Sequence, residues 1–292
     1  MSIILIKIGA VLLFLMAGMY SLKDKIIVIT GASSGIGKAL ALEALARNAK
    51  VALCARNLEK LQAVFREGAT IFLYKADVSK EEDCKNFIEK AQQRFGKIDV
   101  LINNAGISMR ALFDEVQLSV IKELMDINFW GAVYCTKYAL PSIIKNKGVV
   151  ASISSIAGYR GLPGRTGYSA SKFALQGFME ALRTELLKTG ASVVWFCPGF
   201  TASNIRNVAK AADGTSQGET PLAENKLMTA ETSAKIMMDA IEQRKRTVVM
   251  TTQGKLTVWL NKLFPSFADK LVYKHFLKEP GSPLHKYSSN GA

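Results

Sequence analysis

From Ile26 onward, short runs of β-branched and other apolar residues alternate with longer stretches whose apolar positions recur every three or four residues. A short apolar run reads as a strand buried on both faces, and the longer period as an amphipathic helix. Strands are expected at residues 26–30, 51–55, about 70–75, 98–102, 149–154 and 192–197. Helices are expected from a glycine turn at residues 31–37 to about residue 48, from about residue 58, and at about 80–95, 119–144 and 168–188. Alternation of the two throughout predicts an α/β fold, a doubly wound parallel sheet in a single domain, because parallel neighbours need a crossover between them. Ligands of such a sheet bind beyond the carboxyl ends of its strands.

Two stretches fall outside this alternation. Residues 3–22 are almost wholly apolar, broken by Lys7 and free of Asp and Glu. A bilayer span takes about 20 such residues, and Lys7 lies near one end, where it can snorkel to the headgroups. A cleaved signal peptide is a rival, but the charge lies inside the apolar stretch and no clear cleavage site follows. A helix lying on its own domain is a third reading. A membrane anchor is preferred, and the positive-inside bias then keeps the basic domain that follows on the cytoplasmic side. Near the other end, Leu256, Trp259, Leu260, Leu263 and Phe264 stand at helical spacings; beyond Pro265, Phe267, Leu271 and Phe276 continue them, with Lys255, Lys262, Lys270, Lys274 and Lys278 between. This pattern suits an interfacial amphipathic segment, and equally one packed over a substrate cleft or against a partner subunit. The expected division is an anchor at 1–22, a catalytic domain at 23–250 and a basic amphipathic extension at 251–292.

Composition narrows the class. A chain of 292 residues, 49% apolar, can bury one large core, and no linker-like or low-complexity run divides it. Cys54, Cys84, Cys135 and Cys197 are scattered singly, which argues against a disulfide framework or a zinc site and suits small core residues in a reducing compartment. His275 and His285 have no third ligand nearby, so neither a metal site nor a His-based triad is expected. Of the net charge of +14, +7 lies between residues 244 and 286, where nine Lys and Arg face only Asp269 and Glu279, and the other +7 is spread over the preceding 243 residues. Bulky apolar side chains among those lysines suit a lipid surface better than nucleic acid.

The chemistry sits at strand ends. After the first strand comes G-A-S-S-G-I-G, Gly31 to Gly37, and then a helix; glycines let the backbone approach a pyrophosphate, and a helix N-terminus favours its charge. The second strand ends in Arg56 with no acid to hold ribose hydroxyls, so Arg56, with Ser33 and Ser34, is expected to hold a 2′-phosphate: NADP(H). Asp77 and Val78 follow the third strand, where the carboxylate could accept from an adenine amino group. Tyr168 and Lys172 stand at i and i+4, on one helical face. A neighbouring ammonium favours the phenolate and brings the tyrosine toward its working range. Ser155, at a strand end, can hydrogen-bond a carbonyl or alcohol oxygen. Such a site transfers a proton at oxygen.

T-G-A-S-S-G-I-G (30–37), N-N-A-G (103–106), Asn128, Ser155, Y-S-A-S-K (168–172) and P-G-F-T (198–201) together resemble the short-chain dehydrogenase/reductase family, in its order and spacing, over roughly residues 24–250. The resemblance implies a Rossmann-like sheet and a tetrad. Tyr168 is then the general acid/base, Lys172 lowers its pKa and holds the nicotinamide ribose, Ser155 positions the substrate oxygen, and Asn128 supports a water-linked proton relay. It also implies cofactor contacts at Gly31, Ser33, Ser34, Gly35, Ile36, Gly37, Arg56, Asp77, Val78, Asn104, Ala105, Gly106, Tyr168, Lys172, Pro198, Gly199 and Thr201, a substrate lid at 202–227, and a homodimer or homotetramer through the helices at about 119–144 and 168–188. The apolar ends are similar to those of membrane-associated subgroups, the 3-ketodihydrosphingosine reductases and microsomal hydroxysteroid dehydrogenases. The expected function is thus NADPH-dependent reduction of a lipophilic ketone, with 3-ketosphinganine first and a steroid or acyl-chain ketone next. A non-catalytic membrane scaffold with the same fold is the reading from another class; the complete tetrad argues against it.

Overall fold

A computed structural model describes residues 20–199, 201, 205–218 and 227–288. Among these, seven strands form one sheet: β1 (Ile26–Thr30), β2 (Lys50–Ala55), β3 (Ile71–Lys75), β4 (Val100–Asn103), β5 (Val149–Ile153), β6 (Ser192–Cys197) and β7 (Thr247–Val249). Their order is β3-β2-β1-β4-β5-β6-β7, with every neighbouring pair parallel. The chain reverses direction across the sheet between β1 and β4, which opens a crevice at their carboxyl ends.

Strand side chains alternate between the two faces, and each face has its own core. Ile27 and Ile29 of β1 join one core with Leu40 and Ala44 of α1 (Gly35–Ala46) and Met237 and Ile241 of α7 (Ala230–Glu242). Val28 points the other way. It joins a core shared with Phe87 of α3 (Glu81–Phe95), Ala139 of α5 (Gly131–Lys145) and Leu175 of α6 (Thr166–Glu185). All four cysteines are free and buried, as small core residues.

The expected elements are present with local differences. The helix after β2 is a single short turn, α2 (Leu58–Gln62). The helix expected unbroken over 119–144 is α4 (Leu118–Met125), a π-turn at Asp126–Trp130 and then α5. An inserted residue of this kind recurs at functional sites, and Asn128 sits at its centre. The pattern named neither α7 nor β7, because β7 is three residues long and follows a polar stretch. The extension forms two helices, α8 (Thr252–Leu263) and α9 (Pro265–Leu277), parted at Phe264 because Pro265 lacks the N–H a continuing helix needs. A last turn, α10 (His285–Ser288), closes the described chain.

Residues 1–19, most of the apolar N-terminal stretch, lie outside the described residues. Its last residues belong to the domain: Leu22 is fully buried, and the Tyr20 N–H donates to the Glu242 carbonyl at 2.9 Å. No helix among the described residues is long and apolar enough to cross a membrane.

The amino ends of the central strands are tied by Asp99, which is 1% exposed. Its carboxylate accepts from the Ile26 N–H at 2.9 Å and from Lys97 at 3.0 Å, with Lys25 at 3.7 Å. Its carbonyl accepts from the Val149 N–H at 2.9 Å. Replacing Asp99 by Ala strands a buried N–H and leaves two lysines without their counterion. We expect Asp99→Ala to lower the unfolding free energy by about 2–3 kcal/mol in urea titration.

Candidate active site

The turn after β1 and the turn after β4 are locked to each other. Thr30 Oγ1 accepts from the Asn104 and Ala105 N–H groups, each at 3.0 Å. Asn104 Nδ2 donates back to the carbonyls of Thr30 at 2.8 Å and Gly31 at 3.1 Å. The approach is close enough to demand glycine: a Cβ on Gly37 would fall 2.3 Å from the Gly31 oxygen and 2.4 Å from Asn104 Nδ2. Gly31 and Gly35 also hold φ of +68° and +53°, where a side chain is strained. Helix α1 begins here with Ser34 as its N-cap, and the Ser34 hydroxyl makes no capping bond. Its first-turn N–H groups have no intrahelical partners, and the Ile36 side chain packs on the core beneath them.

Arg56 follows β2, exposed, with no hydrogen bond or ion pair to another described residue. Asp77 is only partly available: one carboxylate oxygen accepts from Ser79 N–H at 3.1 Å and Ser79 Oγ at 2.8 Å. Val78 is buried against the start of α5, where a Cβ on Gly131 would meet its side chain at 2.9 Å. Pro198 is buried, and Gly199 runs so close to the start of α8 that a Cβ would lie 2.4 Å from the Thr251 side chain. The buried Thr201 hydroxyl pairs with Ser233 Oγ at 3.4 Å. Phe200 lies outside the described residues.

The four tetrad residues converge from three elements. Ser155, just past β5, caps a 3₁₀ turn at Ile156–Gly158, its Oγ accepting from the Ala157 N–H at 3.1 Å. Tyr168 and Lys172 project from the first two turns of α6. Asn128 is fully engaged: Oδ1 accepts from the Ile107 N–H at 2.8 Å, and Nδ2 donates to the Ile107 carbonyl at 3.0 Å and Ser171 Oγ at 2.9 Å. A Cβ on Gly106 would lie 3.1 Å from Asn128 Oδ1 and 3.5 Å from Lys172 Nζ. The ends of both side chains therefore meet at the Gly106 α-carbon.

Lys172 is 4% exposed, and its Nζ donates to the Ile153 carbonyl at 2.9 Å, 5.7 Å from the centre of the Tyr168 ring. Burial lowers its pKa to about 8. Tyr168 is shifted upward, chiefly by loss of water; the hydrogen-bonding Ser155 side chain and the charges of Arg165 and Arg206 pull it partly back. Lys172, expected to draw the phenol down, is not among the causes of this shift. Helical spacing brings the two residues to one face, and the ammonium donates to the Ile153 carbonyl at the end of β5.

Several site residues carried no assigned role in the sequence. Thr30 and Ser171 lie inside the quoted motifs and act within the framework rather than toward a ligand. Gln176 continues the Tyr168, Lys172 face by another four residues; its Nε2 donates to Ser154 Oγ at 2.8 Å and to the Ser155 carbonyl at 3.2 Å. That periodicity was a usable signal. Asn103 Nδ2 donates to Thr136 Oγ1 at 3.0 Å beneath the crevice, which only the fold reveals. In the expected lid, residues 205–218 are described and docked: the Arg110 N–H donates to the Lys210 carbonyl and the Gln117 N–H to that of Ala212, each at 2.9 Å.

The glycine turn fits a nicotinamide dinucleotide. It offers backbone N–H groups with no Cβ in the way, an uncommitted Ser34 hydroxyl and an open Arg56, with a buried lysine and a phenol further along the same strand ends. Fold and site together define a dinucleotide-dependent enzyme that works at a carbon–oxygen centre. Residues 25–214 match the family model described as short chain dehydrogenase. The chain is 32% identical over 270 residues to 11-beta-hydroxysteroid dehydrogenase A of Sesamum indicum, covering 89% of this chain and 77% of that one. It is 33% identical to dehydrogenase/reductase SDR family member 7B of Mus musculus, covering 88% and 83%. A solved short chain dehydrogenase of Burkholderia cenocepacia, in complex with NADP, superposes with a TM-score of 0.74 at 20% identity, over 87% of this chain and 99% of that one. The chain belongs to the short-chain dehydrogenase/reductase family and is an oxidoreductase acting on CH–OH or C=O groups.

The buried lysine gives a test independent of turnover. A lysine whose folded pKa is about 8, against about 10.4 in the unfolded chain, contributes stability that is full above the unfolded value and is lost as pH falls through 8. The Lys172→Met protein lacks this dependence. The stability of the wild type relative to Lys172→Met should therefore rise by up to roughly 3 kcal/mol between pH 7.5 and pH 10.5 in paired urea titrations.

Proposed function

We propose that the protein reduces a ketone on a lipophilic, steroid-like substrate with NADPH. The observation that carries this reading is geometric: Ser155 past the end of β5, Tyr168 and Lys172 on one face of α6, and Asn128 meeting Lys172 at Gly106, all beside the glycine turn. A phenol so placed can pass its proton to a carbonyl oxygen as that carbonyl is reduced. The bound dinucleotide supplies the hydride at the carbonyl carbon. Gly31, Ser33, Ser34, Gly35, Ile36 and Gly37 would hold its pyrophosphate side, Asp77 and Val78 its adenine, and Asn104, Ala105, Gly106, Pro198, Gly199 and Thr201 the rest of the crevice wall. Ser155 orients the substrate oxygen, and the Tyr168 proton moves to that oxygen as the carbonyl bond is reduced. Lys172 holds the ribose. With Asn128 beside it at Gly106, it lies where a relay can restore the proton to Tyr168.

The preference for NADPH rests on Arg56, open at the end of β2, and on the absence of an acid there. The hydroxysteroid name of the Sesamum indicum relative supports a steroid-like ketone over a sphingoid one. The 3-ketosphinganine reading of the apolar ends has no counterpart among the relatives named above and stands second. The long apolar N-terminal stretch favours membrane association with the catalytic domain on the cytoplasmic side. Exposed Trp130 and Phe173, beside α5 and on α6, suit a homodimer or homotetramer through those helices.

Tyr168→Phe should reduce NADPH-dependent turnover by about 10²–10⁴-fold while NADPH binding, read by its fluorescence, is kept. Unchanged turnover would defeat the mechanism, and absence of turnover in the wild type against any ketone would favour the scaffold reading. Arg56→Asp should move the ratio of kcat/KM for NADPH over NADH toward NADH by on the order of tenfold or more; an unmoved ratio removes Arg56 from the phosphate site.

A further inference from the structure

Helices α8 and α9 present one face to the domain and another to solvent, and most of their bulky side chains are on the solvent face. Toward the domain, Phe276 and Val272 near the end of α9 pack with Leu112 and Leu162, and the rest are small or polar groups. Gly254 packs on Ile156, where a Cβ would fall 2.8 Å from its Cδ1. Asn261 Nδ2 donates to the Tyr159 carbonyl at 2.9 Å, and Arg160 donates to Asn261 Oδ1 at 3.1 Å. Arg160 also pairs with Asp269, and Ala268 is buried. Toward solvent stand Leu256, Trp259 and Leu263 of α8, at i, i+3 and i+7, then Phe264, Phe267 and Leu271, again at i, i+3 and i+7. Trp259 is 53% exposed and Phe267 54%. The Trp259 and Phe264 rings meet edge-on at 6.0 Å, which joins the two stripes into one ridge. A contiguous apolar patch of this kind marks an interaction surface rather than scattered surface apolarity.

Charge selects the partner. Lys255, Lys262, Lys270, Lys274 and Lys278 are exposed on the same two helices and their end, and none is paired with another described residue. Asp269, the acid among them, is held by Arg160. We propose that the ridge of α8 and α9 docks the domain on an anionic lipid surface, with the six apolar side chains in the interface and the lysines among the headgroups. A second copy of the chain fits less well, since an isologous contact would bring these lysines against their own equivalents. The underside of α8 rests on residues 156–160, immediately after Ser155, so docking also sets the Ser155 side of the crevice near the lipid. This deepens the membrane association proposed above and rests on it for the choice of partner.

The test uses the full chain and vesicles with brominated acyl chains, which quench tryptophan at depth. The chain holds three tryptophans, Trp130, Trp195 and Trp259. Vesicles with about a third phosphatidylserine should quench the wild type, and Trp259→Phe should lose most of that quenching. The combined Lys262→Glu, Lys270→Glu and Lys274→Glu protein should partition at least about tenfold more weakly onto those vesicles. Equal quenching in Trp259→Phe would overturn the proposal, because binding would then run through another segment, such as the N-terminal stretch. Concentration-dependent dimers that Phe267→Ser dissociates, with no quenching of the wild type, would assign the ridge to a second copy and overturn it too. NADPH oxidation on a water-soluble ketone, measured on the unaltered protein, reports the catalytic reading separately: activity without Trp259-dependent quenching sinks the docking alone, and quenching without activity sinks the enzyme reading alone.

Discussion

The reciprocal hydrogen bonds between Thr30 and Asn104 turn two neighbouring loops into one rigid floor. Each loop leaves a different strand, and each must pass within a hydrogen bond of the other. The Thr30 hydroxyl satisfies two N–H groups of the β4 turn while the Asn104 amide satisfies two carbonyls of the β1 turn. Backbone groups that would be stranded by such an approach are thereby paired. That pairing allows the glycine turn to present its remaining N–H groups outward. Gly106, two residues beyond Asn104, then sits where Asn128 and Lys172 converge. The dinucleotide side and the proton-transfer side of the crevice are thus fixed by one contact.

The second organising feature is the grip of the extension on the catalytic segment. Asn261 and Asp269 hold Tyr159 and Arg160, just past the Ser155 turn. Glu279, itself buried, pairs at 2.9 Å with Arg165, the residue that leads into α6, and lies 3.7 Å from Arg110. Arg165 also stacks over the Phe276 ring at 4.6 Å. Ser155 and Tyr168 lie at the two ends of the segment so held. Their relative position therefore depends on residues more than a hundred positions away in sequence.

Much of this was legible in the sequence where local chemistry dictates local structure. The strand at Ile26–Thr30, the glycine turn and the strand at Ser192–Cys197 fall where apolar runs and breakers put them, and Tyr168 and Lys172 share one helix face as their spacing requires. What escaped depends on tertiary context. The π-turn around Asn128 leaves the helical apolar spacing nearly unchanged. The three-residue β7 has no pattern of its own and forms by pairing with β6. The partner of the Lys172 ammonium escaped for the same reason: spacing gives the face of a helix, while the Ile153 carbonyl that captures the ammonium belongs to another element. The C-terminal pattern gave the amphipathicity correctly but not its division, for Phe276 turns inward to pack with Leu112 and Leu284 while Phe267 stays outside.

The Glu279–Arg165 pair also bears on when the site comes into being. A chain made from its amino end can begin to assemble β1 through β5 early, since the pairing of β1 with β2 and β4, and of β4 with β5, uses only residues 26–153. The lead-in to α6 is different. Its anchor, Glu279, stands 114 residues further along the chain, so the entry to the catalytic helix keeps one partner outstanding until that later stretch has also been made. In a nascent chain the cofactor floor can form while the lead-in to the tyrosine above it still awaits that restraint.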